Sequence, residues 1–270
     1  MPFAHNGEAR IFWRENGHGE PLLLIMGIGY TSDMWYHVEP GLAARFRVIV
    51  FDNRGVGKSD TVPGPHLIST MAADAAAVLD AADVESAHVF GLSMGGYIAQ
   101  EFALDYPRRV RALILGGASC GGKNAVPAKQ EVWDVALERL NMPPKKAVRA
   151  LVPYIYDPST PKDRIEIDMD IRLRTYPSAE SYNAQLEGIL QWESYGRLGQ
   201  LRAPTLVMHG EHDQLVPPEN GRALAEMIPG ARLEMMANAS HMFTTDRPEE
   251  TVSTVLRFLD EYRHNGHGAS

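Results

Sequence analysis

Short, largely apolar runs alternate along this chain with longer stretches whose apolar positions recur every three or four residues. The runs at 22–26, 48–51, 87–90, 110–115, 204–210 and 232–236 are four to seven residues long, which predicts strands, and the unbroken apolarity of 22–26 and 48–51 predicts strands covered on both faces as in a parallel sheet. The intervening stretches at 69–82, 95–106, 218–228 and 248–262 carry helical spacing, with Pro107 stopping the second. Residues 33–46 are weakly helical. An early strand at 9–14 is followed by turn residues Asn16 to Glu20, predicting an antiparallel hairpin into the 22–26 strand. Asp74 and Asp80 are expected on a solvent face of their helix. This alternation predicts an α/β fold built on a doubly wound, mostly parallel sheet.

The alternation breaks between residues 120 and 199, where helical patterns at 128–140, 144–154, 161–174 and 178–198 follow one another without an apolar strand. The segment reads as a helical cap inserted over the sheet, so the core comprises 1–119 and 200–264, with 265–270 as a polar tail. Trp133, Trp192 and Phe243 are the aromatic candidates for a substrate pocket, although an insertion also needs aromatics for its own small core. Arg139, Arg172 and Arg174 are the cap cations that could meet a substrate anion. An arginine at the pocket would favour an acidic substrate and an apolar wall a neutral one.

Charge and composition narrow the function classes. The balance of 26 Lys and Arg against 34 Asp and Glu gives −8, which argues against nucleic-acid or anionic-membrane partners. The longest uncharged apolar stretch, 21–32, is too short to span a bilayer, and the first residues lack the pattern of an export signal, so a cytoplasmic protein is expected. Cys120 is the only cysteine and excludes an intrachain disulfide. The oligomeric state is not fixed by the sequence; a homodimer is compatible with it.

Two glycine-rich stretches invite chemistry. Gly55-Val56-Gly57-Lys58-Ser59 suggests a phosphate loop, but Asp52 stands where the first glycine of that motif must be, which leaves a tight loop held by an Asp–Arg pair. Gly91-Leu92-Ser93-Met94-Gly95 places a serine between two glycines where a strand stops and a helix begins. A nucleophile in such a turn needs small neighbours at −2 and +2. Serine needs a base and the base an orienting acid. His241 and Asp213 lie in the loops after two later predicted strands, giving the chain order Ser, Asp, His. His212, beside Asp213, is the competing base, and Glu211 the competing acid. The oxyanion donors are expected to be the backbone N–H groups of Met94 and Ile28, with Gly27 and Gly29 letting the latter loop approach.

Together these segments resemble the α/β-hydrolase superfamily over nearly the whole chain. Gly91-Leu92-Ser93-Met94-Gly95-Gly96 resembles its nucleophile elbow, Asp52-Asn53-Arg54-Gly55-Val56-Gly57-Lys58-Ser59 its D-x-R-G-x-G-x-S loop, and Gly210-Glu211-His212-Asp213 and Ser240-His241 its acid and base segments. Met26 departs from the family, where many members have histidine. The resemblance implies an eight-stranded sheet, no metal or organic cofactor, and a serine hydrolase acting on a small carboxylic ester or lactone, as in esterases and 3-oxoadipate enol-lactonases. C–C bond hydrolases and cofactor-free haloperoxidases or perhydrolases share the triad, while Leu92 leans towards ester or lactone cleavage. A non-catalytic small-molecule receptor on the same scaffold is the alternative of a different class.

Overall fold

The structure is a computed structural model, and it describes residues 2–262. The expected tail at 265–270 and the last two residues assigned to the core lie outside the described residues. Eight strands form one sheet: β1 (Phe3–Asn6), β2 (Ala9–Asn16), β3 (Pro21–Ile25), β4 (Arg47–Phe51), β5 (Ala87–Leu92), β6 (Val110–Gly116), β7 (Thr205–Gly210) and β8 (Arg232–Met236). Their spatial order is β1-β2-β4-β3-β5-β6-β7-β8. The β1–β2 and β2–β4 pairs are antiparallel and all others parallel.

The expected hairpin between β2 and β3 does not form. β4 lies between them, with Trp13 opposite Phe51. The reason is burial: Leu22, Leu23, Leu24 and Ile25 are apolar on both faces and fully buried, so β3 must sit inside the sheet between two parallel neighbours. β2 flanks its buried Ile11, Phe12 and Trp13 with Arg10 and Arg14, which reach solvent, and takes a place near the edge. The strand β1 carried no clear pattern in the sequence.

Helices α1 (Glu39–Ala43), α2 (Ile68–Ala81), α3 (Met94–Asp105), α4 (Gln130–Glu138), α5 (Pro144–Ala150), α6 (Val152–Ile155), α7 (Lys162–Arg174), α8 (Ala179–Leu190), α9 (Glu219–Met227), α10 (Phe243–Asp246) and α11 (Pro248–Asp260) complete the fold. The strands are two-sided. Leu23, Ile25 and Val89 face a core built with α2, α3 and α9, while Leu22, Leu24 and Phe90 face one built with α1 and α11. The weakly helical 33–46 stretch is a 3-10 turn, Ser32–Trp35, followed by α1. The 144–154 pattern splits into α5 and α6, because Pro153 has no N–H to continue a helix and sits at the start of the second.

Helices α4 to α8 all lie between β6 and β7, which are adjacent and paired. The two ends of this segment meet, since Gly121 bridges Glu193 and the Ser194 N–H donates to the Cys120 carbonyl at 2.8 Å. Two expectations about charge need correcting. Asp74 is buried on α2, where its carboxylate accepts two 2.6 Å hydrogen bonds from Arg54. Asp52 holds the glycine-rich loop through the Ser32 and Lys58 amides, so the tight loop's arginine pairs with α2 and not with Asp52. No helix among the described residues is long and apolar enough to cross a membrane.

Candidate active site

Ser93 stands between β5 and α3 with φ 58° and ψ −123°, a conformation strained for a residue with a side chain. Its N–H donates to the Gly116 carbonyl at 2.8 Å. The glycines on either side are obligatory: a Cβ on Gly91 would lie 2.0 Å from the Gly95 carbonyl oxygen, and one on Gly95 2.0 Å from that of Ile25. The close strand–helix crossing that raises Ser93 therefore depends on both. Gly27 abuts the serine itself, for a Cβ there would sit 3.1 Å from Ser93 Cβ.

Met94 begins α3, so its N–H has no helical acceptor. Among the described residues neither the Met94 nor the Ile28 N–H has a protein acceptor, and both residues line the cavity that Ser93 opens on. The next amide, Gly29, instead donates to Gln185 Oε1 at 2.8 Å.

His241 follows β8 and Asp213 follows β7; both are buried. His241 Nδ1 lies 2.8 Å from Asp213 Oδ2, while Asp213 Oδ1 accepts the Leu215 and Val216 amides at 2.9 and 2.8 Å. Burial alone would push the Asp213 carboxyl up, but the His241 charge and hydrogen bonds from His209 and His241 carry it down to about 2. Asp213 is therefore an ionised, acceptor-only group near neutrality. Its partner His241 must carry a proton on Nδ1, which leaves Nε2 with its lone pair.

The competing base is elsewhere. His212 is half-exposed and its Nδ1 pairs with Asp157 Oδ2 at 2.5 Å, and neither residue lines the cavity. Asp157 belongs to the segment between α6 and α7, which a further carboxylate, Asp246, ties to the base loop. Asp246 accepts the Ser240 amide at 2.7 Å, the Thr160 hydroxyl at 2.6 Å and the Asp157 amide at 3.3 Å. Burial raises its pKa to about 6 despite these bonds. No local motif marks Asp246 or Gln185, whose partners are distant in the chain.

The cavity holds about 480 Å3 and is walled from below by Ser93, Met94, Ile28 and His241, and from above by residues of α4 and α8 such as Trp133, Leu137, Leu186 and Ile189. Of the three aromatic candidates only Trp133 reaches it. Trp192 is instead stacked on Tyr97 at 4.9 Å with its indole N–H donated to Glu101, because leaving α8 the chain must be pinned back onto α3. Phe243 is fully buried under the sheet's end, against Gly116, and fills core volume. Arg139 lines the cavity, Arg172 an adjoining one, and Arg174 is exposed near a different surface depression.

A family profile described as the alpha/beta hydrolase fold matches residues 20–147 and 176–248. The chain belongs to the α/β-hydrolase family. Among its relatives is a protein of Azorhizobium caulinodans, named with reservation as the carbamate hydrolase RutD, 34% identical over 97% of this chain and 99% of the relative. A poly(3-hydroxyalkanoate) depolymerase of Ectopseudomonas oleovorans is 34% identical over 91% and 86% of the two chains. The enol-lactonase structure from Burkholderia xenovorans LB400 superposes with a TM-score of 0.85 at 25% identity, covering 96% of this chain and all of the other. These hydrolases are named for different substrates. Family membership therefore supports hydrolase activity and leaves the substrate to the cavity wall.

Proposed function

We propose that this protein is a serine hydrolase of small carboxylic esters or lactones, working through an acyl-enzyme on Ser93. The observation that carries the reading is the strained Ser93 on one cavity with His241, whose ring is fixed from behind by an ionised Asp213.

The steps follow from these groups. Ser93 Oγ attacks the ester carbonyl as its proton passes to His241 Nε2, and the imidazolium so formed is stabilised by Asp213. The carbonyl oxygen becomes an oxyanion held by the Met94 and Ile28 N–H groups, which no protein acceptor occupies. Collapse of the intermediate breaks the ester C–O bond, and His241 returns the proton to the leaving alkoxide. A water molecule then attacks the acyl-enzyme with His241 again as base, releasing the acid and restoring Ser93. In a lactone the alcohol and acid stay in one product.

The apolar cavity wall supports an organic acyl substrate, and the free oxyanion amides support acyl transfer over simple binding. The test is hydrolysis of a short-chain nitrophenyl ester by the purified protein beside Ser93→Ala. A fall of at least about 10^3-fold in kcat is expected for the variant. Equal rates in the two samples would remove the hydrolase reading and leave a binding protein on this scaffold.

A further inference from the structure

Arg139 and Arg172 are 6% and 3% exposed, so both guanidinium groups lie inside the protein. A buried cation normally has a carboxylate beside it, as Arg54 has Asp74. These two have none within 4 Å among the described residues. Among the described residues the Arg139 Nε and the Arg172 Nε and Nη2 have no hydrogen-bond acceptor. What they do touch is neutral: Arg139 Nη2 donates to the Tyr182 hydroxyl, and Arg172 Nη1 approaches only the Met169 sulfur at 3.8 Å. Asp168 stands one turn before Arg172 on α7, but its oxygens are filled by the hydroxyls of Tyr36, Tyr156 and Thr245.

Each guanidinium is stacked over a ring, Arg139 at 4.8 Å from the Tyr182 centroid and Arg172 at 4.6 Å from that of Tyr30. Stacking uses the flat face of the ion and leaves the N–H groups in its plane for a ligand. Both charges act on the buried Tyr30 phenol, where they oppose the upward push of burial. They border a cavity of about 450 Å3 that shares Tyr30, Leu137, Arg139 and Tyr182 with the cavity above Ser93. Arg139 thus belongs to both spaces, and Arg172 to the second, whose rim includes the exposed Asn141, Ser178 and Asn183.

We infer that Arg139 and Arg172 form a carboxylate subsite, so that the substrate is an ester or lactone carrying a second, ionised carboxyl group. A half-ester of a dicarboxylic acid and a carboxylated lactone are the two forms of this class. The inference rests on Ser93 being the nucleophile for its kinetic consequence, but not for the binding itself. A planar carboxylate matches the in-plane forks of two guanidinium groups. It would also supply the negative charge that the lining of the second cavity lacks, while the remainder of the substrate lies along the apolar wall near Trp133.

Two measurements test this. Calorimetric titration of Ser93→Ala with glutarate or adipate should show saturable binding. Arg139→Met and Arg172→Met, each made in that background, should weaken it by a factor on the order of 10 to 100, as for loss of a hydrogen bond to a charged group. In the active protein the ratio of kcat/KM for 4-nitrophenyl glutarate half-ester to that for 4-nitrophenyl butyrate should exceed one and fall by a similar factor in either Met variant. Both variants should hold or raise the Tm, since each removes a buried charge without a partner. The inference is overturned by absence of dicarboxylate binding, by binding that neither substitution changes, by inorganic phosphate binding as tightly as the dicarboxylates, or by failure of both Met variants to fold, which would make the arginines structural. If neither ester is turned over faster than by Ser93→Ala, the hydrolase reading fails, and the titration still decides the subsite.

Discussion

Gln185, fully buried on α8, accepts a hydrogen bond from the Gly29 N–H at 2.8 Å and donates one from its side-chain amide to the Arg54 carbonyl at the same distance. One cap side chain thus spans the loop after β3 and the glycine-rich loop after β4. With Gly29 engaged, the preceding Ile28 N–H has no protein acceptor among the described residues, as the proposed oxyanion role requires. Gln185→Leu strands one donor and one acceptor, at about 1–3 kcal/mol for each buried group. The expected kinetic effect is a fall in kcat of about tenfold or more with little change in KM, because an oxyanion donor acts in the transition state. Steady-state rates on a nitrophenyl ester decide it, and an unchanged kcat would dissociate Gln185 from the loop's role.

Two glycines beside Ser93 should respond differently to a single methyl group. In Gly95→Ala the Cβ meets the Ile25 carbonyl at 2.0 Å, backbone against backbone, so the strand–helix crossing must open. A loss of at least about 3 kcal/mol in urea unfolding is expected. In Gly27→Ala the nearest atom is Ser93 Cβ at 3.1 Å, which asks for a shift of a few tenths of an ångström. That variant should fold and lose about tenfold or more in kcat, since a small misplacement of the nucleophile is costly. Wild-type activity in Gly27→Ala would mean that Ser93 tolerates displacement.

Asp213 and Asp246 should shape the acid limb of the stability curve in opposite senses. Asp213 titrates at about 2 in the fold against an unfolded value near 3.8. Its contribution, about 2 kcal/mol, is present above pH 4 and is lost as pH falls through 2. Asp246 is raised to about 6, so the native state holds its proton where the unfolded chain has released it. Stability from this group falls by about 3 kcal/mol as pH rises from 4 to 6. Urea unfolding of Asp246→Asn across that range should lack this slope. Parallel curves for the variant and the wild type would exclude the raised value.

The Arg54–Asp74 pair should be intolerant of losing either partner. Arg54→Ala leaves a buried carboxylate without its cation, at about 3–5 kcal/mol. Burial already pushes the Asp74 carboxyl up, with Arg54 and Asn6 opposing it. Without Arg54 it rises further and is protonated more easily. The stability gap to the wild type should therefore narrow between pH 7 and pH 5, as read by thermal unfolding, and a constant gap would locate the loss in packing instead.

What could be read from the chain alone was whatever depends on neighbours in sequence. Runs such as 22–26 and 48–51 are strands because their unbroken apolar length is local. The turn around Ser93 follows from two glycines within two residues of it, and Asp213 and His241 lie in loops after strands that the local pattern predicts. Pairing was not legible in the same way: β4 displaces β3 from β2 because a fully apolar strand seeks the sheet interior, which no hairpin signal reports. Arg54 and Asp74 are twenty residues apart and meet only once α2 docks. Trp192 and Phe243 looked like pocket aromatics by type, yet one anchors the chain to α3 and the other fills core volume. Gln185 and Asp246 act across 156 and 86 residues, on Gly29 and Thr160, so only the folded arrangement exposes them.

The bonded neck at Cys120–Gly121 and Glu193–Ser194 has an evolutionary consequence. A segment that leaves and rejoins the sheet at one bridged point, between two strands already paired, is a cassette. Its cavity-facing positions, such as Trp133 and Leu137 on α4, can be rewritten while Ser93, Asp213 and His241 keep their places after β5, β7 and β8, provided α8 keeps Gln185 on the Gly29 loop. Such a molecule can reshape the cavity wall without moving the three residues beneath it.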